Sequence, residues 1–515
     1  FKKDKLQNLI SSDGRISIAV MPFRNMTNDT IWNVWQDGIK DNLITYLSNY
    51  SEDLTVKQPE SVNSLLQSRG LINYASLTPS IASTISRNLD ANVFISGSIS
   101  QAGSKIRVNA QLINSKTEEA FKSFQIEGTF EEDIFRIIDS LSVLVKDFLI
   151  ISVMEKEIVT DFRPLISTRS SEAYRDYLYG SQAFYNDQDE YTAKDWFLKA
   201  IDIDTNFTEA IRFLAYSYSH IGMIEEAKKW CLRLYRKRDQ MPLLEKLYAN
   251  ALYAAFFETV YEEIKYWSLI IEYDDQMPVP YSNLAGQYES LHQYEKAISL
   301  REKELEIYDK WDLKPRWSAS YGNLGRLYHL TGQYRKEKKL YRKAEQYFPD
   351  DYSLLYRQAV LALAEEDTDV ANQYIEKFIS ARRISGISEA AITSSLAAIY
   401  SEAGILDKAE EFYRKVVSMI PENPSAINNL ARFLIDNDRN IVEGLEIVDK
   451  VLGDKGPDYF ILLDTKGWGL YKMDRYEEAL EILQKSWDLI PYHYDHEIYL
   501  HLEAAKKAVA NQMSN

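Results

Sequence analysis

The sequence predicts an α+β amino-terminal domain followed by an all-α superhelical solenoid of about nine helix pairs and a capping helix. Two observations carry that reading. From Ala173 to Pro491, small residues and aromatics recur roughly every 34 residues, a period that belongs to stacked helix pairs. Ahead of Ala173 the texture differs, and stretches alternating with period two are interleaved with amphipathic helical ones. Helical repeats build an extended surface rather than one core around a catalytic cleft, so binding is the first function expected.

The amino-terminal elements follow in order. Arg15–Met21 reads as a buried strand stopped by Pro22. Trp35–Leu47 is expected to be a helix with Ile39, Leu43, Ile44 and Leu47 on one face. A short strand at Leu54–Lys57 precedes helical stretches at Ser61–Leu66 and Ile81–Leu89. Asn92–Ser98 and Lys105–Ile113 form a hairpin pair, joined by Ser100-Gln101-Ala102-Gly103-Ser104. In its second strand Ile106, Val108, Ala110 and Leu112 face one way, and Arg107, Asn109 and Gln111 the other. After a turn at Ser115–Glu118 come a strand at Ala120–Glu127 and a long helix from Glu131 to Ile151. The order β-α-β-α-α-β-β-β-α predicts a sheet with helices on one side.

The repeat is clearest in its fifth copy, where Tyr321, Leu324, Gly325 and Tyr328 precede Gly332, Tyr334, Tyr341, Ala344 and Pro349. Glycine or alanine lets the two helices approach, aromatics fill the gap to the next copy, and proline stops the second helix. The first copy places Tyr174, Tyr177, Gly180, Phe184, Ala193, Phe197 and Ala200 in register, with Thr205 where proline is expected. Leu214, Ala215, Tyr218, Ala227 and Cys231 mark the second, and Tyr248, Ala251 and Ile264 a degenerate third. The fourth holds Tyr281, Leu284, Ala285, Tyr288, Tyr294 and Ala297; a weak sixth keeps Ala359 and Ala371. Leu396, Ala397, Tyr400, Gly404, Ala409, Tyr413 and Pro421 define the seventh, Leu430, Ala431 and Gly444 the eighth, and Gly467, Tyr476, Ala479 and Pro491 the ninth. A last helix from His493 to Gln512 would cover the exposed end. The expected division is a basic stub at 1–12, the α/β domain at 13–157, a linker at 158–173, the solenoid at 174–491 and the cap at 492–515.

Composition narrows the function. A net charge of −17 and a pI near 5.0 argue against nucleic acid as the partner of this region. The 36 tyrosines and 9 tryptophans suit aromatic-keyed packing. Cys231 is the single cysteine, which excludes an internal disulfide and a cysteine-based zinc site; its packing position predicts a buried, inert thiol. The sequence contains no run of 18 apolar residues, and Leu141–Val153, the closest approach, holds Lys146 and Asp147. The start at Phe1-Lys2-Lys3 suggests a product trimmed next to a signal or membrane helix, or an arbitrary boundary.

The motifs of phosphate loops, dinucleotide folds, zinc proteases and serine hydrolases are all missing. His493, Asp495, His496, Glu497 and His501 form the one cluster with metal-ligand chemistry, and the start of this cluster beside Pro491 favours an exposed cap instead. No metal, cofactor or catalytic residue is therefore expected, and an enzymatic reading would rest on that cluster and the sheet alone. Phe23, Arg24 and Asn25 follow a strand end, where ligands bind in α/β sheets, but they also suit a strand-terminating turn.

The repeat spacings resemble the tetratricopeptide repeat, over about 60% of the chain. Ile18-Ala19-Val20-Met21-Pro22-Phe23 with Asn25, Gly38, Ala91–Ile99 and Arg107–Ile113 resemble the amino-terminal α/β domain of TolB, related to the CsgG and FlgO proteins. That family is commonly joined to tetratricopeptide repeats in bacterial envelope proteins and membrane-anchored regulators. The resemblance implies a non-enzymatic scaffold whose repeat groove binds a protein or peptide, with the α/β domain as a second interaction or sensing module. It also implies an alternative, the extracytoplasmic sensor of a membrane-anchored transcription regulator or cyclase. The expected location is periplasmic or anchored outside the cytoplasm, with a cytoplasmic protein as the alternative.

In binding members of the repeat family the free positions of each first helix take peptide ligands. Asn250, Asn283, Asn323 and Asn429 are expected at one such position, where an amide can both donate to and accept from an extended backbone. Arg212, Tyr216, His220, Tyr253, Phe256 and Phe257, then Arg326, His329, Arg432, Trp468 and Lys472, would supply specificity. The adjacent lysines and arginines of the two-carboxylate clamp of chaperone-tail binders are not found, which puts that partner class in doubt.

Overall fold

The computed structural model describes residues 8–71, 74–129, 133–154, 168, 170–187, 189–315, 317–452, 459–490 and 494–513. Most of the expected linker, and the start of the chain, lie outside the described residues. The chain divides into two compact units, Phe1–Leu284 with Glu306–Leu313, and Ala285–Leu305 with Lys314–Asn515.

The first unit opens with the sheet. Its elements are β1 (Ile16–Val20), β2 (Arg24–Asn25), α1 (Val34–Ser48), β3 (Leu54–Val56), α2 (Pro59–Ser68), α3 (Pro79–Asn88), β4 (Val93–Ala102), β5 (Lys105–Asn114), β6 (Ala120–Gly128) and α4 (Ile134–Asp147). The strand order is β3-β1-β4-β5-β6. β1 runs parallel to β3 and β4, whereas β4-β5-β6 is an antiparallel meander. Pro22 has no N–H to continue the ladder, so the chain steps out and rejoins β4 as β2, pairing Arg24 with Ser98. Phe23 swings inward at that step. Its ring lies over Gly97, where a Cβ would come within 2.1 Å, so glycine is required there.

Helices cover both faces of the parallel half, which differs from the one-sided arrangement expected. Ile16, Ile18 and Val20 share a core cluster with Trp35, Ile39 and Leu43 of α1 and Ile137 and Leu141 of α4. Ala19 and Phe94 point the other way and are equally buried, and the hydroxyl of Ser83 on α3 donates to the Ser115 carbonyl at 2.8 Å. Topology is the cause. With β1 between β3 and β4, the two right-handed crossovers travel in opposite directions and place their helices on opposite faces.

The repeats follow as nine helix pairs among the described residues. In the first unit these are α5 (Ser171–Gln182) with α6 (Glu190–Ile203), α7 (Thr208–His220) with α8 (Ile224–Tyr235), and α9 (Leu243–Phe257) with α10 (Val260–Tyr273). The fourth pair, α11 (Pro278–Ser290) and α12 (Tyr294–Lys310), is shared between the units. The second unit continues with α13 (Ala319–Leu330) and α14 (Tyr334–Tyr347), α15 (Tyr352–Ala364) and α16 (Thr368–Ile384), and α17 (Glu389–Glu402) and α18 (Leu406–Met419). It ends with α19 (Pro424–Asp436) and α20 (Ile441–Val451), α21 (Tyr459–Lys472) and α22 (Tyr476–Asp488), and the capping helix α23 (His496–Met513).

Small residues do what their spacing predicts. A Cβ on Gly180 would come within 2.6 Å of the Phe197 ring, one on Gly325 within 2.2 Å of Tyr341, and one on Gly467 within 2.5 Å of Leu483. These three pairs therefore close on a first-helix glycine. The turns between paired helices take left-handed backbone at Gly222, His292, Gly332, Glu366, Gly404, Asp438 and Asp474. The third repeat has no such residue. Its turn is shortened to Glu258 and Thr259, with Thr259 capping α10 through the Glu262 N–H, which accounts for its weak sequence signal.

Within the first unit the sheet and the first three repeats share one continuous core. Trp35 of α1 stacks on Tyr174 of α5 with centroids 5.6 Å apart, and Tyr174 stacks in turn on Phe207. The α/β domain also grips the loop after the third repeat. The Tyr273 hydroxyl donates to the Ser48 carbonyl at 2.6 Å, and Lys57 meets Asp274 at 3.5 Å with both side chains buried.

Candidate partner-binding face

The first helix of each pair buries its small residue and aromatics against the second helix, leaving a free face. The structure distributes the four expected asparagines unevenly over that face. Asn283 and Asn323 are half-buried, Asn429 is exposed, and Asn250 is buried. Asn250 is the correction. It precedes the start of its second helix, Val260, by ten residues, whereas Asn283 precedes Tyr294 and Asn323 precedes Tyr334 by eleven. One residue is a rotation of about 100° around a helix, which turns Asn250 into the packed side. The shortened third turn caused the misreading.

Among the described residues the side chains of Asn283, Asn323 and Asn429 make no hydrogen bond. Two glycines lie close by in sequence. Gly286 is one helical turn after Asn283, and Gly322 immediately precedes Asn323; a Cβ on either would meet no heavy atom within 4 Å. Gly286 is half-buried, whereas the Gly322 backbone is buried.

The charged and aromatic candidates are engaged within the chain. Arg212 is buried, forks onto the Glu245 carboxylate at 3.0 and 3.2 Å, and lies over the rings of Phe213 and Tyr248. Burial works against its charge, but Glu245 and the surrounding tyrosines together outweigh burial and hold the guanidinium protonated. Burial pushes the phenol of the neighbouring Tyr216 up to about 12. His220 is exposed, with its Nδ1 2.9 Å from Glu190. Tyr253 stacks on Tyr235 at 3.6 Å and touches Phe257 at 5.0 Å, which itself meets Phe256. As a specificity residue facing a ligand, Arg212 is therefore corrected. Tyr216 is half-buried and packs against the core that the first repeats share with the sheet.

In the second unit the pattern continues with partners the sequence reading missed. Arg326 pairs with Glu289, and Arg432 with Glu497 and, at 3.3 Å, Asp436. The Nδ1 of His329 is 3.1 Å from Glu337, which is buried. That hydrogen bond raises the proton affinity of the imidazole, and burial raises that of the Glu337 carboxyl. Trp468 stacks on His501 at 4.1 Å, and His501 meets the buried Asp464 at 2.9 Å. Lys472 donates to the carbonyls of Ile435 and Asp436. A carboxylate one repeat away was the available signal. Glu245 and Glu289 each stand on a first helix adjoining that of their arginine.

The histidine cluster does not converge. His493 lies outside the described residues, His496 accepts or donates to the Tyr494 hydroxyl at 2.6 Å and lies edge-on to His292, and His501 points to Asp464. Among the described residues no three histidine, cysteine or carboxylate side chains gather as metal ligands would, and no helix is long and apolar enough to cross a membrane. Asn25, the other ligand candidate, is bound within its own turn. Its amide donates to the Asp29 carbonyl and Asn33, while its oxygen accepts from the Thr27 N–H and hydroxyl.

Family models of the tetratricopeptide repeat match residues 276–350 and 394–423, which span the fourth, fifth and seventh helix pairs. The chain carries tetratricopeptide repeats. Among curated proteins, the putative adenylate cyclase 3 of Rhizobium meliloti (strain 1021) is 32% identical over 126 residues, 24% of this chain and 19% of that protein. The chain thus spans about a fifth of the length of that relative. Among solved structures, a tetratricopeptide repeat protein from Parabacteroides merdae ATCC 43184 is similar at 16% identity and TM-score 0.33, over 53% of this chain and 99% of that one. The Cut9–Hcn1 hetero-tetramer of APC/C is similar at 14% identity and TM-score 0.37, over 66% and 71%.

Proposed function

We propose that the tetratricopeptide repeats bind a protein or peptide partner on the free face of their first helices, and that the α/β domain is a second interaction or sensing module. The observation that carries this reading is Asn323. Among the described residues its half-buried amide has no hydrogen-bond partner, while Arg326, three residues on, is already paired with Glu289. An extended peptide could supply both the acceptor and the donor that this amide lacks. Asn283, beside Gly286, offers the same chemistry one repeat earlier. Specificity would come from groups that remain at least partly accessible, such as His220 and Trp468, rather than from Arg212.

The test is the double variant Asn283→Ala with Asn323→Ala. Partner capture from an extract of the source cells should weaken while the melting temperature stays nearly constant. Equal loss of folding would sink the reading, since the two amides would then be structural.

The partial match to a protein named as a putative adenylate cyclase favours a second reading. In it, the α/β domain and the repeats form the extracytoplasmic sensor of a membrane-anchored cyclase or transcription regulator. The complete gene decides: an upstream cyclase or DNA-binding domain followed by an apolar span supports it, and a cleavable signal peptide alone refutes it.

A further inference from the structure

We infer that the outer face of α14 is a docking surface for an acidic protein segment, separate from the first-helix face. The chain carries a net charge of −17, yet this helix reads Tyr-Arg-Lys-Glu-Lys-Lys-Leu-Tyr-Arg-Lys-Ala-Glu-Gln-Tyr, with six basic residues against two acidic ones. One of those two, Glu337, points inward to His329 and is buried, so it neutralises nothing outside.

The basic side chains divide by what they touch. Lys336 reaches Glu302 at 3.1 Å and Lys338 reaches Glu365 at 2.6 Å, tying α14 to its neighbours. Arg335, Lys339 and Arg342 are exposed and, among the described residues, have no carboxylate in ion-pair range. They stand at i, i+4 and i+7, which places them in one stripe along the helix, spanning about 10 Å. Elsewhere the exposed arginines of the second unit's helices are matched, as Arg383 is by Glu389 and Arg414 by Glu410 and Glu443. An unmatched stripe of this sign on an acidic protein is an electrostatic complement waiting for carboxylates.

Its dimensions choose the class of partner. Nucleic acid and anionic membranes extend their charge far beyond 10 Å, so their flanks would meet the acidic remainder of the chain. A short run of aspartate and glutamate engages the stripe alone, and two arginines provide planar forks for bidentate carboxylate contacts.

The experiment titrates a fluorescently labelled twelve-residue peptide of alternating glutamate and serine against the full chain and reads anisotropy at low and at high salt. Saturable, salt-sensitive binding is expected. The variant Arg335→Gln/Lys339→Gln/Arg342→Gln should weaken it about tenfold, while Lys228→Gln/Lys229→Gln on α8 should not. Because the three side chains are exposed, circular dichroism should show an unchanged melt. The inference is overturned if the peptide does not bind saturably or binds the triple variant equally. It is also overturned if duplex DNA or phosphatidylserine vesicles bind through the same residues more tightly. Loss of binding in Asn323→Ala with the triple variant intact in function would likewise move the site to the first-helix face.

Discussion

Two glycines three residues apart in α13 should respond to alanine in opposite directions. At Gly325 the new Cβ would lie 2.2 Å from the ring of Tyr341, which is only 2% exposed and cannot swing into solvent. Ordinary contact begins near 3.4 Å, so the ring or the helix must retreat by more than an ångström. Overpacking of this kind costs about 1–3 kcal/mol, against which alanine returns at most about 1 kcal/mol of helix propensity. At Gly322 the Cβ meets nothing, and only the propensity gain of about 0.5–1 kcal/mol remains. Thermal melting of the full chain reads the difference. Gly325→Ala should lower the transition of the second unit by about 2–8 °C, and Gly322→Ala should raise it by a few degrees. Repeats can open locally, so hydrogen exchange in α13 and α14 should accompany the melt. If both variants melt alike, glycine is not what sets the approach of paired helices, and the packing argument fails.

Three other perturbations follow from buried groups. Lys57→Ala would leave Asp274 buried with only the Gln276 N–H to bond, costing about 3–5 kcal/mol and speeding exchange around residues 271–277 if the α/β domain depends on that grip. Burial raises the carboxyl of Asp41 to about 6 although Lys40 opposes it. A folded value above the unfolded 3.8 means a penalty that is full above about pH 6 and relieved as pH falls through it, so Asp41→Asn should stabilise the first unit at pH 7.5 by at most about 3 kcal/mol and flatten its stability between pH 7.5 and 5. An unchanged pH profile would contradict this. Burial likewise pushes the Cys231 thiol up to about 12, so the native chain should resist a thiol reagent that titrates one equivalent after denaturation.

The fold was legible where spacing alone decides it. Tyr321, Gly325, Tyr341 and Ala344 announced a helix pair because steric fit permits few alternatives at those positions. Alternation in Lys105–Asn114 likewise announced a half-buried strand. What spacing could not show was pairing across distance. Crossover direction depends on β1 lying between its two parallel partners, which the linear order of elements does not contain. Asn250 was misplaced because the third turn is short and carries no glycine to fix the register. The candidate face was legible as a surface and misjudged as chemistry. Arg212, Arg326 and Arg432 looked available in the sequence, but carboxylates on neighbouring helices already hold them.

The claim that the free face of the first helices binds a partner is tested most directly by photo-crosslinking in the source cells. A photoreactive residue would replace Asn323 in one variant and Glu376, exposed on α16, in another. The account predicts that one defined protein becomes attached through position 323 and not through 376. Identical adducts from both positions, or none from 323, would contradict it.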